Sequence, residues 1–109
     1  MSTTEFPKSE IVRLDKMVAY QPGSIVSRIV IKKATGNLSL FAFDKGQSLS
    51  EHTAPFDAMI QVLEGEAEIV IGGTSYHLKS GETIIMPAKI PHAVNAIGQF
   101  KMLLTMIKE

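Results

Sequence analysis

The fold is decided by the middle of the chain, Gly46–Asn95, which reads GQSLSEHTAPFDAMIQVLEGEAEIVIGGTSYHLKSGETIIMPAKIPHAVN. Turn-forming residues interrupt it at short intervals: Gly65, Gly72, Gly73, Gly81, Pro87 and Pro91. The segments between these turns have the length of a strand and are rich in β-branched and apolar residues. Only Glu10–Val18 has an ambiguous pattern. Many short strands at regular spacing predict an all-β sandwich or barrel.

Alternation of polar and apolar residues predicts which side chains share a face. Glu66–Ile71 alternates with period 2, as in a strand with one wet face. We predict one hairpin at Glu64-Gly65-Glu66 and a second at Gly72-Gly73. One face of the strand before the first hairpin carries Ala58, Ile60 and Val62. One face of the last strand of the chain carries Phe100, Met102, Leu104 and Met106. Several strands are apolar on both faces, so we expect part of the outer surface to pack on a partner subunit.

Composition excludes several classes of function. The 109 residues include 11 Lys plus Arg and 11 Asp plus Glu, so the formal net charge is zero. A neutral chain lacks the basic footprint of a protein that binds nucleic acid or an anionic membrane surface, and we expect neither partner. The absence of cysteine excludes disulfides, thiolate metal sites and cysteine nucleophiles. The only imidazoles are His52, His77 and His92.

The chain shows no sign of division into several domains. No linker of Gly and Ser separates two parts, and no apolar run approaches the roughly 20 residues that span a bilayer. The polar start carries no signal-peptide hydrophobic region. We therefore predict a polar N-terminal arm over residues 1–10, one barrel domain over residues 11–109, and a cytoplasmic location.

Two groups of spaced residues within Gly46–Asn95 resemble the motifs of the cupin superfamily. The first motif is matched by Gly46, His52 and Gly65. The second is matched by the group Gly81, Pro87 and His92, with Lys89 at a position where the family has Gly and Ala96 where it has Asn. The short gap of 15 residues between Gly65 and Gly81 is usual in small microbial single-domain cupins. The resemblance implies an antiparallel jelly-roll barrel, or double-stranded β-helix, of six to eight strands that is usually dimeric.

The resemblance also implies a metal site, and here the chain departs from the family. The family's second histidine falls on Ala54 and its glutamate falls on Ala58, so His52 and His92 alone remain of the four usual ligands. Two neutral imidazoles would hold a divalent ion such as Zn, Ni, Mn or Fe only weakly, because catalytic sites normally have three protein ligands. Asp57 is the candidate for a third contact if its carboxylate turns inward.

The two alanines favour an apolar cavity with two imidazoles at its polar end. The predicted lining is His52, Ala54, Phe56, Ala58, Ile60, Met86, His92, Met102 and Leu104, with Phe56 either a lid or ordinary loop packing. Such a pocket suits a small organic molecule with an anionic or carbonyl group. We expect His77 to point to solvent, and we expect Glu64, Glu66 and Glu68 to lie at a wet edge.

Three functions remain as alternatives. The first is a binding module for a small molecule in the cavity. The second is a metal-dependent cupin enzyme, of dioxygenase or isomerase type, that uses His52 and His92 as ligands. In the third, His52 or His92 acts as a general acid or base oriented by Asp57, without metal. The residues do not decide between enzyme and binding protein, and a purely structural homodimer is the plainest alternative.

Overall fold

The computed structural model describes residues 5–108 and contains nine strands in this part of the chain. They are β1 (Ile25–Lys33), β2 (Gly36–Phe43), β3 (Ser48–His52), β4 (Ala58–Glu64), β5 (Glu66–Ile71), β6 (Thr74–Lys79), β7 (Thr83–Met86), β8 (His92–Ala96) and β9 (Phe100–Ile107). The ambiguous stretch before them holds one 3₁₀ turn, Leu14–Lys16. Residues 5–108 contain no helix long and apolar enough to cross a membrane.

The strands form two antiparallel sheets that face each other. One sheet has the order β1-β2-β9-β4-β7 and the other has the order β3-β8-β5-β6. Neighbours that are distant in sequence, such as β4 beside β9 and β3 beside β8, give the crossed connections of a jelly roll. The all-β jelly-roll prediction is confirmed, with nine strands where the resemblance implied six to eight.

One of the two predicted hairpins is wrong. The Gly72-Gly73 turn does join the paired strands β5 and β6. The Glu64-Gly65-Glu66 corner instead carries the chain from the five-stranded sheet to the four-stranded sheet, so β4 and β5 do not pair. Gly65 has φ +80°, and a Cβ there would clash with the Gln99 carbonyl oxygen. A glycine is therefore required at this corner.

The space between the sheets is filled by the faces that alternation predicted. Ile60 and Val62 from β4 are buried against Phe100 and Met102 from β9. Phe43 stacks on Phe100 with ring centroids 4.5 Å apart, and these rings fill one end of the barrel. We call this the closed end.

A second apolar cluster lies on the outer face of the five-stranded sheet. Val18 from the segment before β1 packs on Leu40, Ala42 and Leu103, and Phe6 packs against the same cluster. The chain itself therefore covers part of the surface that we assigned to a partner subunit. Phe6 also gives an apolar contact to the arm predicted as polar, while residues 1–4 of that arm lie outside the described residues. The domain boundary at residue 10 stays a prediction.

A buried lysine binds the segment before β1 to the five-stranded sheet. The Lys101 ammonium group donates a 2.6 Å hydrogen bond to the Asp15 carbonyl oxygen and lies 4.9 Å from the centre of the Tyr20 ring. The Tyr20 hydroxyl donates a 2.5 Å hydrogen bond to Glu64. Burial, together with the Glu64 carboxylate, raises the pKa of Tyr20 above its ordinary value. These contacts hold the N-terminal segment on the face opposite the barrel interior.

Candidate ligand cavity

A cavity of about 300 Å³ lies between the sheets at the end of the barrel opposite the Phe43–Phe100 stack. Its lining contains all nine residues of the predicted pocket, which are His52, Ala54, Phe56, Ala58, Ile60, Met86, His92, Met102 and Leu104. Three further residues complete the wall: Leu49, Val94 and Met106. The volume lies at the lower end of the range of small-molecule sites and is about twice the ~150 Å³ that accepts benzene in an engineered cavity. We call this end of the barrel the open end.

The three residues that the sequence analysis missed differ in how readily they could have been found. Val94 is two residues after His92, and Met106 is two residues after Leu104, so strand alternation places both on the cavity face. Leu49 is three residues before His52, and simple alternation would put the two on opposite faces. A register irregularity between Leu49 and His52 in β3 returns both to the cavity. That irregularity has no signal in the sequence.

Adjacent strands place the two histidines side by side. His52 is the last residue of β3, His92 is the first residue of β8, and the two are paired in register. Their Nε2 atoms are 3.1 Å apart, and the rings meet edge to face at 70° with centroids 4.3 Å apart. His92 is buried with 4% of its surface exposed, whereas His52 is exposed at the mouth.

Backbone carbonyl groups orient both rings from behind. Nδ1 of His52 lies 2.7 Å from the Ser50 carbonyl oxygen, and Nδ1 of His92 lies 3.3 Å from the Ile90 carbonyl oxygen. A carbonyl oxygen only accepts, so each of these hydrogen bonds needs a proton on Nδ1. The contact between the two Nε2 atoms needs one more proton on either of them. Two neutral imidazoles carry one proton each, so all three hydrogen bonds form together only when the pair has a single positive charge.

Burial opposes this charge. Desolvation lowers the pKa of His92, the neighbouring His52 lowers it further, and the hydrogen bond to Ile90 raises it. In the neutral pair, one of the three contacts lacks a proton. An anionic group placed in the cavity would favour the charged pair, because it would offset the desolvation that lowers the pKa of His92. The arrangement is thus suited to an anion.

Asp57 does not take the position that we predicted. It does not line the cavity, and its carboxylate accepts a 2.8 Å hydrogen bond from the Ala88 backbone N–H. The expected contact that would orient a histidine for acid–base chemistry is therefore not formed. The reason is that Asp57 belongs to the irregular segment after Pro55, where strand alternation does not decide which way a side chain points. Its role in this structure is to fix a loop.

The remaining polar candidates lie outside the cavity. The exposed His77 contacts Glu66 on the outer surface at 2.9 Å, as expected for a solvent-facing residue. Asn95, one place before the position of the family asparagine, donates to Glu68 on the same outer face. Hydrogen bonds from Ser75 and from Asn95 lower the pKa of Glu68. None of these side chains lines the cavity.

Lys89 shows what the motif glycine does in this fold. Its φ is +67°, in the left-handed region that favours glycine. Its backbone N–H donates a 2.7 Å hydrogen bond to the Ala54 carbonyl oxygen. The family's glycine position thus corresponds to a strained turn that holds the loop between β3 and β4.

The donors at the open end do not make a complete metal site. Within residues 5–108, no group of three or more His, Cys, Asp or Glu side chains could hold an ion. The convergent Nε2 atoms could take two positions on an ion, and water or a bound molecule would have to fill the others. Ala54 and Ala58 explain the deficit, because they stand where the resemblance places the other ligands.

Comparisons with known proteins agree with this architecture. The profile of the Cupin_2 family, described as a cupin domain, matches residues 39–108, and the chain belongs to the cupins. A conserved protein of unknown function from Streptococcus pyogenes is 35% identical, with a TM-score of 0.92 over 100% of this chain and 96% of that one. A cupin superfamily protein from Desulfitobacterium hafniense is 25% identical, with a TM-score of 0.91 over 100% of both chains.

A third solved structure is more similar in sequence over a shorter part of its own chain. The cupin 2 conserved barrel domain protein from Leptotrichia buccalis is 41% identical, with a TM-score of 0.83 over 86% of this chain and 46% of that one. No curated protein matches the chain. The comparisons therefore give the family and the fold without an activity.

Proposed function

We propose that this cupin binds a small carboxylate with an apolar body in the cavity at the open end. The observation that carries the proposal is the pairing of an almost wholly apolar wall with two histidines whose Nε2 atoms lie 3.1 Å apart. The apolar body would lie against Ile60, Met102 and Leu104, where burial of each methylene-sized group is worth about 0.8 kcal/mol. The carboxylate would accept the Nε2–H of the charged pair in place of the Nε2–Nε2 contact, and such a charge-assisted hydrogen bond is the stronger kind.

A titration with benzoate tests this function. We expect benzoate to raise the melting temperature with concentration, because a molecule that binds only the folded state stabilises it. Benzamide has the same shape without the charge and should bind about tenfold more weakly, since it loses a charge-assisted hydrogen bond. His92→Phe retains a ring of similar size and should remove the preference for benzoate. Equal shifts of the melting temperature by both compounds, or no shift at the highest benzoate concentration, would refute the proposal.

A metal-dependent enzyme is the second candidate. One observation favours it: both Nδ1 atoms are held by carbonyl groups while both Nε2 atoms point to a common place, which is the usual orientation of metal-binding imidazoles. Elemental analysis of protein purified without a histidine tag tests this candidate. Stoichiometric metal that is lost in both His52→Ala and His92→Ala would support it, and protein without metal that still binds benzoate would exclude it.

The homodimer also stays a prediction. Exposed apolar side chains on the outer face of the five-stranded sheet, Ile85 and Ile107, are of the kind that a partner subunit would cover. Sedimentation velocity at several protein concentrations gives the oligomeric state directly.

A further inference from the structure

Phe56 separates two hollow regions of the molecule. Its half-buried side chain lines the inner cavity beside Ala54 and Ala58. It also lines a groove of about 670 Å³ on the outer face of the five-stranded sheet, where Ile85 and Ile107 are 60% and 62% exposed. The Phe56 ring is therefore a wall shared between the cavity and the outside.

Two hydrogen bonds hold the segment that carries this ring. Residues 53–57 have no regular structure and connect β3 to β4. On one side of Phe56, the Ala54 carbonyl oxygen accepts from the Lys89 N–H at 2.7 Å. On the other side, the Asp57 carboxylate accepts from the Ala88 N–H at 2.8 Å. The turn at residues 87–90 thus holds the segment two residues before and one residue after Phe56.

We propose that Phe56 is the gate through which a molecule reaches the cavity, and that Asp57 is the latch of this gate. This inference rests on the proposed function, because a gate is meaningful only if the cavity takes up a ligand. When the gate opens, the ring moves from the cavity mouth into the outer groove and packs against Met59, Ile85 or Ile107. Asp57 is a positioning residue, since its carboxylate fixes the loop and does not line the cavity.

Three features make such a movement physically easy. The ring exchanges one apolar environment for another, so opening does not place it fully in water. The Asp57–Ala88 hydrogen bond is exposed, and water can replace it when it breaks. The ammonium group of Lys108 lies 5.7 Å from the centre of the Phe56 ring on the outside, within reach of a cation–π contact that can follow the ring. The free-energy barrier to moving the Phe56 ring therefore comes chiefly from releasing residues 53–57 from the turn at residues 87–90.

Thiol accessibility tests the gate independently of any ligand. The chain contains no cysteine, so a single introduced thiol reports on one position. Val94→Cys places a thiol on the inner wall of the cavity, where Val94 is 2% exposed. We expect methyl methanethiosulfonate to modify this thiol about tenfold faster when Phe56→Ala or Asp57→Ala is added. Asp57→Asn keeps an acceptor oxygen and should leave the rate close to that of the Val94→Cys parent.

A matched thiol at the closed end separates gating from unfolding. Ala67→Cys lies in the same core, is 0% exposed and does not line the cavity. Its rate of modification should not change with Phe56→Ala or Asp57→Ala. Unchanged modification of the Val94→Cys thiol would overturn the gate, and so would equal acceleration of both thiols, because that result would report global opening.

Exchange of 4-fluorobenzoate, followed by ¹⁹F NMR, then links the gate to binding. Asp57→Ala should raise the association and dissociation rate constants together by several fold and change Kd by less than twofold. A change in Kd with unaltered association would contradict the assignment of Asp57 as a latch. If 4-fluorobenzoate does not bind at all, the proposed function fails, while the thiol rates still report whether the cavity has a gate.

Discussion

The two ends of the same barrel are built in opposite ways. At the closed end, Phe43 stacks on Phe100 and both rings have no exposed surface. At the open end, the corresponding space is bounded by Ala54 and Ala58 and encloses about 300 Å³. The same strands contribute to both ends, since β4 runs from Ala58 to Glu64 and β9 runs from Phe100 to Ile107. Side-chain size along each strand therefore decides where the barrel is solid and where it is hollow.

This difference separates stability from binding. Filled space contributes dispersion contacts and removes apolar surface from water, whereas a hollow lined by apolar groups gives up some of those contacts. A chain of 109 residues has a small margin of stability, so the hollow end depends on the filled end to hold the strands in place. Substitutions at matched positions of the two ends should therefore have different consequences.

The largest expected effect is the loss of the aromatic stack. Phe100→Ala should lower the free energy of unfolding by about 3–5 kcal/mol, because it leaves a cavity in a fully packed region. Met106→Ala lies on the same face of the same strand at the open end, where the side chain is only half-buried, and should cost about 1–2 kcal/mol. Urea denaturation measures both values, provided that the free energy of unfolding depends on urea concentration with the same slope in the variants and the wild type. Equal losses would contradict the contrast between the two ends.

Replacing an alanine with leucine should separate the stability effects at the two ends more clearly than truncating a large side chain does. Ala67→Leu at the closed end should destabilise the protein by about 1–3 kcal/mol, because that region has no room for the added atoms. Ala58→Leu at the open end has the cavity to extend into and should change stability by less than about 1 kcal/mol. The same Ala58→Leu substitution should abolish binding of benzoate. Retained binding in Ala58→Leu would place the ligand elsewhere.

The His52–His92 pair makes the open end sensitive to pH. Because burial lowers the pKa of His92, the unfolded chain binds this proton more readily than the folded protein does. The stability that comes from the neutral His92 is therefore complete above the unfolded pKa and is lost as pH falls through the folded value. We expect the free energy of unfolding to fall between pH 7 and 5.5 by more in the wild type than in His92→Phe.

Benzoate should reverse this trend, because its charge favours the protonated pair. If binding is accompanied by uptake of one proton, affinity rises by at most about tenfold for each unit that pH falls. Calorimetry at pH 7.5 and 6.5 in buffers of different ionisation enthalpy measures the proton uptake. Affinity that is the same at both pH values, with no proton uptake, would remove the role assigned to the pair.

The predicted and observed linings coincide where the cavity is made by strands. Alternation along β4 and β9, together with two alanines at family ligand positions, assigned Ala58, Ile60, Met102 and Leu104 to one face, and all four line the cavity. Prediction failed where alternation does not hold. The irregularity in β3 concealed Leu49, and Asp57 follows a proline in a loop whose direction depends on hydrogen bonds from a distant turn.

The error at Gly65 has a related origin. A glycine between two strands predicts a sharp change of direction, but it does not say whether the second strand pairs with the first or crosses to the opposite sheet. That choice depends on which strands flank each one, and here β9 and β7 already occupy both sides of β4. Pairing between distant segments is the information that local patterns lack.

The smallest expected effect concerns the strained turn at the open end. Lys89 has φ +67°, so Lys89→Gly removes a steric cost of roughly 1–2 kcal/mol but adds up to about 1 kcal/mol of chain entropy in the unfolded state. The net gain in unfolding free energy should be about 0.5 kcal/mol. Lys89→Ala removes the same charge while keeping the Cβ, and should give no gain. A gain in both variants would trace the effect to charge and not to backbone strain. Hydrogen exchange at the residue 89 amide reports on its hydrogen bond to the Ala54 carbonyl oxygen. If Lys89→Gly is stabilised and this exchange rate is unchanged, the hydrogen bond does not depend on the strained backbone at residue 89.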